Sequence, residues 1–379
     1  MNVLIVGGGI SGLAHAAFLE GSDVSYEIVE KCPDWSHQGY LIGLWDNGRD
    51  ILRKLGLAEK LDTVGSRVRH NSTRDGSGRE IRNFNMSSLY SEFGGSVTII
   101  GRKELHSWLL DKVNQSKNTM NRTVTAIRCS ASGCDITFSD GVRKSYDIVV
   151  GADGVHSTVR SLVFGKNTEQ FTNWRAWYVW IDNAYDTPAS IVEYIEPREF
   201  ITTFSSGGKT LATLIASADH REWDTQQDRI ERLKRLFQDE TYIVPAALEK
   251  LKDDEALPTD LADVNLSHTV SDRVALIGDA AHCLGPMAGL GTSMALEDAY
   301  TLAAELMKVS DTHRLLTALS MYEQSRRLRR AIARRLNKRI RMASLVRSPI
   351  LFKVIMFAAR YIPEWVLARD YKKLLRNEI

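Results

Sequence analysis

The residues best placed for chemistry stand at the start of the chain. Gly7, Gly9 and Gly12 have the spacing G-x-G-x-x-G, and Glu30 lies eighteen residues beyond the last of them. Gly7 permits a tight turn. Gly9 leaves room for a pyrophosphate where a Cβ would collide, and Gly12 lets a helix sit close to a strand. A helix opening at this turn offers unpaired N–H groups to phosphate oxygens. Glu30 can accept hydrogen bonds from a ribose diol and would repel a 2′-phosphate, so FAD or NAD suits the pattern better than NADP. The turn alone does not separate those two.

Two further clusters combine an acid with glycines. Gly278-Asp279-Ala280-Ala281-His282 ends an apolar run, and a loop containing Pro286, Gly289, Leu290 and Gly291 leads from it into a helix predicted from Thr292 to Lys308. Gly151-Ala152-Asp153-Gly154 ends another apolar run and precedes Ser157 and Arg160. Asp153 can simply cap the following helix. Arg102 opens a helix predicted to run to about Asn114, where it reaches a cofactor or is merely solvated. No Ser-His-Asp or Cys-His arrangement competes with these clusters.

The elements that must position them follow from pattern. Asn2 to Val6 is a short β-branched apolar run, read as a buried parallel strand. Leu13 to Glu20 reads as a helix, and Ser25 to Val29 as the next strand, which completes a βαβ unit. Tyr40 to Trp45 reads as a short strand or an extended approach to a ligand, Asp46-Asn47-Gly48 as a turn, and Arg49 to Leu55 as a helix. Residues 66–97 read as an excursion of short strands. Val124 sits in an alternating strand, followed by a hairpin from Cys134 to Tyr146. From Asn173 the texture becomes aromatic and strand-like, with Trp177 and Trp180 as candidate walls of a substrate pocket alongside Tyr40 and Trp45. His220 to Glu249 reads as a charged helical cover for that sheet.

Composition sets bounds. A chain of 379 residues with 44% hydrophobic and 25% charged residues is ordinary globular material. The net charge of +2 does not call for a nucleic-acid partner. Charge is uneven, however: from Arg326 onward sixteen Lys and Arg face only Glu364, Asp370 and Glu378. That segment reads as a helix packed across the molecule with a solvated basic face, or as a peripheral contact with an anionic membrane surface. Cys32, Cys129, Cys134 and Cys283 form neither a metal-ligand pattern nor a disulfide framework, and reduced thiols in a cytoplasmic protein are the expectation. No signal peptide or membrane-length apolar run is seen.

Taken together, Gly7-x-Gly9-x-x-Gly12 with Glu30, Gly151-Ala152-Asp153-Gly154-x-x-Ser157-x-x-Arg160, and Gly278-Asp279-Ala280-Ala281-His282 with Pro286 and Gly289-Leu290-Gly291 resemble the p-hydroxybenzoate hydroxylase-like FAD-dependent monooxygenases over roughly residues 1–330. The resemblance implies a mixed α/β fold: a Rossmann-like FAD-binding domain (residues 1–70, 98–172 and 268–330) interleaved with a β-sheet substrate domain (71–97 and 173–267), plus a C-terminal helical segment (331–379). It implies that Ser11 and its glycines hold the FAD pyrophosphate, that Glu30, with Lys31 beside it, holds the adenosine ribose, and that Val124 contacts the adenine. Arg102 would touch the flavin. Asp279 would bind the ribityl region, and the loop from Gly285 through Pro286 to Thr292 would lie beside the isoalloxazine. Asp153 and Arg160 would support that site. The implied activity is hydroxylation of a small aromatic or polyketide-like substrate by O₂, with NAD(P)H as reductant and a flavin C4a-hydroperoxide as oxidant. A dehydrogenase or a non-redox binding protein on the same fold are the alternatives. Ser293 stands where relatives often carry Asn.

Overall fold

The computed structural model describes residues 1–35, 39–86, 90–91, 95–166, 168–182, 190–206, 209–218, 225–249, 251–311, 314–344, 346 and 348–375. Asn2–Val6 lies inside a six-stranded sheet, parallel to both Ile148–Gly151 and Ser25–Val29. Val3, Leu4 and Ile5 are fully buried, as expected of a strand covered on both faces. On one side the helix Ile10–Leu19 packs Leu13, Ala14 and Leu19 against Leu296, Ala299 and Leu302 of the helix Gly291–Met307. His15 Nδ1 lies 3.0 Å from the Ala299 carbonyl and ties the two helices together.

A second sheet has seven strands in the order Leu257–Val264, Glu169–Asp182, Lys209–Ser217, Glu199–Ser206, Ser190–Glu196, His70–Arg74 and Glu80–Asn85. One face is apolar and buries Trp177, Val179, Tyr194 and Leu214 against Ile230, Leu233, Phe237 and Val244. Those covering residues belong to two short helices, Arg229–Leu236 and Ile243–Leu248, and to the turn between them. The single helix expected from His220 to Glu249 is therefore broken, and residues 219–224 lie outside those described. Glu231, Lys234 and Arg235 of the cover face solvent while its i, i+3, i+4 apolar positions meet the sheet.

Three further expectations change. Asp46-Asn47-Gly48 is not a turn but the first turn of the helix Asp46–Lys54. The Asp46 carboxylate accepts hydrogen bonds from the backbone N–H (2.6 Å) and the hydroxyl (2.8 Å) of Ser96. Cys129 and Cys134 are joined by a disulfide, not reduced. They are paired opposite each other where Val124–Cys129 and Cys134–Phe138 run antiparallel, a position that brings Cβ atoms close. The basic tail is not simply a solvated face. Leu315–Ser344 is one long helix, and Arg326, Arg329 and Arg330 on it are buried.

Arg326 and Arg329 meet carboxylates that are themselves buried. Arg326 Nε donates to Asp298 Oδ1 at 2.7 Å, and Arg329 Nε donates to Glu297 Oε2 at 2.8 Å. Arg326 Nη1 also lies 2.6 Å from Glu297 Oε2, close but not aligned for a hydrogen bond. Burial acts to raise the Asp298 carboxyl, but His282 and Arg326 beside it hold it well below its ordinary range. Removing one partner of such a cluster strands an uncompensated charge. Arg326→Ala is expected to cost about 3–5 kcal/mol in denaturant unfolding, whereas Arg335→Ala, on the exposed side of the same helix, is expected to stay within about 0.5 kcal/mol. Equal effects of the two would show that the buried cluster does not hold the helix.

Candidate functional site

The cavity between the two sheets has a volume of about 450 Å³. Gly9, Ser11, Arg102, Asp279, Pro286 and Thr292 form its nucleotide side. Two helix N-termini open onto it, at Ile10 and at Gly291. Both present positive dipole ends and unpaired N–H groups to whatever lies between them.

The glycines are explained by what surrounds them. Gly7 has φ +106°, and a Cβ there would meet the Ala152 carbonyl oxygen at 2.4 Å. At Gly12 a Cβ would lie 2.0 Å from the Gly7 oxygen. At Gly9, by contrast, a Cβ would meet no protein atom within 4 Å. Open ground beside a helix N-terminus is what a pyrophosphate requires. Gly8, unremarkable in the sequence, carries the Trp35 ring against it, 2.5 Å from any added Cβ. Glu30 is buried and accepts hydrogen bonds from the backbone N–H of Gly8 (2.7 Å) and Cys32 (2.9 Å). Its carboxylate thus ties the end of the second strand to the glycine turn.

Asp279 lines the cavity. Burial pushes its carboxyl above the ordinary range, opposed by nearby His282 and Arg102. Arg102 also lies over the Tyr40 ring, 5.5 Å from its centroid. An acid and an arginine at one wall, with two helix dipoles beside them, fit the ribityl and pyrophosphate of FAD. Cys283 lines the same wall, and burial pushes its thiol up, which disfavours the reactive thiolate. His282 is turned away, with Nε2 2.5 Å from Asp298 Oδ2.

Other expected residues lie elsewhere. Asp153 does not face the cavity. Its carboxylate accepts hydrogen bonds from the backbone N–H of Thr158 (2.7 Å) and Val159 (3.1 Å), so it caps the helix Thr158–Val163. Arg160 is buried and donates to the Ala280 carbonyl at 3.1 Å. It joins the second glycine–acid cluster to the third. Lys31 is exposed. The side chains of Val124 and Leu290 point into apolar cores. Ser293 is buried and accepts the Trp45 backbone N–H at 3.0 Å.

Tyr40 and Trp45 line the cavity, but Trp177 and Trp180 do not. Tyr178, between them, does, and its ring stacks on Tyr40 with centroids 4.8 Å apart. Successive strand residues face opposite ways. Trp177 therefore lies on the covered face, edge-on to Phe237 at 6.3 Å. Trp180 sits at the strand's end, half-exposed, and its indole N–H donates to the Gly39 carbonyl at 3.2 Å. The sequence reading also missed Glu193, Thr202, Thr213 and Tyr371, all of which line the cavity. Alternation in Ile191-Val192-Glu193-Tyr194-Ile195 was the available signal: a lone acid on the face opposite Val192 and Tyr194.

Comparison with known proteins follows this geometry. A family model described as "FAD binding domain" matches residues 1–337. The FAD-dependent urate hydroxylase of Klebsiella pneumoniae is 28% identical over 340 residues, covering 86% of each chain. The aurachin C monooxygenase/isomerase of Stigmatella aurantiaca is 27% identical over 329 residues, covering 86% of this chain and 85% of that one. Among solved structures, Klebsiella pneumoniae HpxO complexed with FAD and uric acid superposes with a TM-score of 0.87 at 23% identity, covering 99% of this chain and 96% of its own. A salicylate hydroxylase substrate complex gives 0.77 at 20%, covering 100% and 98%. The structural likenesses establish the fold.

The contrast between two glycines gives a prediction. Gly9→Val adds a side chain where no protein atom stands, so it is expected to keep the thermal midpoint of the ligand-free protein and lose bound FAD. Gly12→Ala, which strikes backbone, is expected to lower that midpoint. Flavin absorbance per chain and thermal unfolding read both. A Gly9→Val protein with full flavin content would remove the pyrophosphate from this turn.

Proposed function

This chain belongs to the FAD-binding family of flavoprotein monooxygenases, and from that membership we propose that it hydroxylates a small planar substrate at the expense of NAD(P)H and O₂. The observation that carries the reading is one continuous cavity walled by the nucleotide turn on one side and by a polar-and-aromatic sheet face on the other. When bound, FAD would supply the redox chemistry, in which a hydride from NAD(P)H and a proton reduce O₂ so that one oxygen atom enters the substrate and the other leaves as water. The relatives named for urate and aurachin make heteroaromatic compounds natural first substrates to test.

The chain's own part is binding, orientation and exclusion of water. Ser11 and the N–H groups after Gly9 would hold the pyrophosphate, with Glu30 close to the ribose of the adenosine. The helix starting at Gly291 would set its positive end beside the ring that gains negative charge on reduction. Tyr40 stacked on Tyr178, and Trp45 packed on Tyr371 at 4.7 Å, would flank a planar substrate and keep water from the reacting edge. Burial pushes the phenols of Tyr40 and Tyr178 above their ordinary range, so they remain hydrogen-bond donors at neutral pH.

The purified protein is expected to be yellow, with about one FAD per chain. Screening heteroaromatic compounds should find one that accelerates NAD(P)H oxidation by at least about tenfold, with matching O₂ uptake and an oxygenated product. Flavin reduction without oxygen incorporation would favour a dehydrogenase. A colourless protein that takes up no FAD would end the reading.

A second contact is favoured by the C-terminal region. No helix among the described residues is long and apolar enough to cross a membrane. The helix Pro349–Ala359 nevertheless exposes Ile350, Leu351, Val354 and Phe357, and Tyr361 follows on the same side. Exposed Lys353 lies on the same helix and exposed Arg360 directly follows it. We propose that this face rests on an anionic lipid surface, the cations meeting headgroups and the apolar side chains the acyl boundary. Vesicles of mixed phosphatidylcholine and phosphatidylglycerol should sediment the protein at low salt, and the double variant Val354→Glu with Phe357→Glu should remain in the supernatant. Equal behaviour of the two proteins would dismiss the contact.

A further inference from the structure

The cavity-facing side of the seven-stranded sheet carries an ordered row of polar groups. Thr73 is paired with Glu193 across neighbouring strands, Glu193 with Thr202, Thr202 with Thr213, and Thr213 with Tyr178. Directly paired residues point to the same face. The row therefore crosses five strands at one level, and Glu193, Thr202, Thr213 and Tyr178 all border the cavity. Val192, Tyr194 and Ile201, the neighbours along the strands, sit in the apolar core on the other face. A carboxyl, two hydroxyls and a phenol have thus been set side by side in a wall whose flanks are otherwise aromatic and aliphatic.

Glu193 is the one acid in that row. The Thr73 hydroxyl donates to it from the edge side. The titratable groups facing the same space are Tyr371 from the C-terminal helix, Tyr178 from the sheet, Tyr40 stacked on it, and Arg102, Asp279 and Cys283 from the nucleotide side. Asp260, also at the wall, is already paired with Arg175 at 2.7 Å. No charged residue among those described shifts Glu193; burial alone pushes its carboxyl up, to about 7, against the Thr73 hydrogen bond. Glu193 in turn adds to burial in pushing up the Tyr371 phenol, so acid and phenol stand close together. A half-buried carboxyl at a cavity wall, shifted by no cation among the described residues, is met best by a partner that supplies one, or at least supplies N–H or O–H donors.

We infer that Glu193, with Thr202 and Thr213 beside it, selects planar substrates that present N–H or O–H donors, neutral or cationic, and rejects those that carry a carboxylate at that edge. This rests on the reading of the cavity as a substrate site and narrows it to a substrate class. Above about pH 7, where Glu193 is ionised, a carboxylate facing it would meet a like charge. An amidine, amide, lactam or phenol would instead donate to it, and the threonine hydroxyls can serve either an acceptor or a donor next to it.

The test uses three isosteric probes, benzamidine, benzamide and benzoate, whose charges are +1, 0 and −1. Binding is measured by calorimetry on the purified protein, with flavin content determined in the same samples. Calorimetry does not depend on flavin, so loss of the cofactor reading and loss of this inference are separable. Well above pH 7, wild type is expected to bind benzamidine most tightly and benzoate at least about tenfold more weakly. Ionised Glu193 is the binding form, so benzamidine affinity should rise as pH increases through about 7. Glu193→Gln, similar in volume and still able to hydrogen-bond, should bring the three probes to within about threefold and flatten the pH dependence. Thr202→Val should weaken benzamide while leaving the pH profile in place. Benzoate binding as tightly as benzamidine, a preference unchanged in Glu193→Gln, or no binding of benzamidine would each overturn the inference.

Discussion

Buried charge pairing at Glu297 and Asp298 is the constraint on which the remaining structure depends. Both side chains have no solvent exposure, so each must be neutralised and hydrogen-bonded by protein. Asp298 reaches three ways: to the Gly278 backbone N–H at 3.0 Å, to His282, and to Arg326. Glu297 is reached by Asn47 at 2.7 Å and by Arg329. Two adjacent acids on one helix therefore fix the glycine–acid loop, the helix after the Tyr40–Trp45 segment and the long C-terminal helix against each other. These are the pieces that make the far wall of the cavity. Apolar packing could hold such helices together, but it is non-directional. Charge-assisted hydrogen bonds specify the rotation and register that place Asp279 and the Gly291 helix terminus at the site.

The same logic explains why the three glycine–acid clusters do different work although they look alike in sequence. The first leaves open space at Gly9 beside a helix N-terminus. The third contributes Asp279 and a helix terminus. The second mostly holds the third in place: Asp153 and Ser157 cap one helix start, and the Arg160 guanidinium reaches across to the Ala280 carbonyl. Gly278 has φ +60°, and a Cβ there would press on the Ser11 hydroxyl at 2.8 Å. First and third clusters therefore touch directly, and the second braces the contact from behind.

What could be read from the chain in advance follows from range. The βαβ unit is local, so strand, turn and helix were all legible, although the atoms that crowd Gly7 come from distant Ala152. The hairpin after Val124 was legible for the same reason. Its disulfide was not, because spacing alone does not tell that Cys129 and Cys134 fall opposite each other rather than diagonally. The arginines from Arg326 onward read as a solvated face because a buried arginine differs from an exposed one only in its partner, and those partners are about thirty residues away. The sheet face that lines the cavity was the least legible part. An aromatic-rich strand announced itself, but which of Trp177 and Tyr178 faces the cavity depends on a parity that only the whole sheet fixes.

That parity has a consequence for how the sheet divides its labour. Its covered face is apolar and packed by two short helices, which gives the strands one energetically preferred register. A slip of one residue would bury Glu193, Thr202 and Thr213 under those helices and turn Trp177, Tyr194 and Leu214 toward the cavity. The polar row thus needs no stabilising interactions of its own to be positioned. The apolar face places it, and the row is left with hydrogen-bonding capacity to spend on a ligand. Cavity chemistry can then vary from one sequence to another through residues such as Glu193 without disturbing the fold, because the covered face determines the register and the cavity-facing residues determine what is bound.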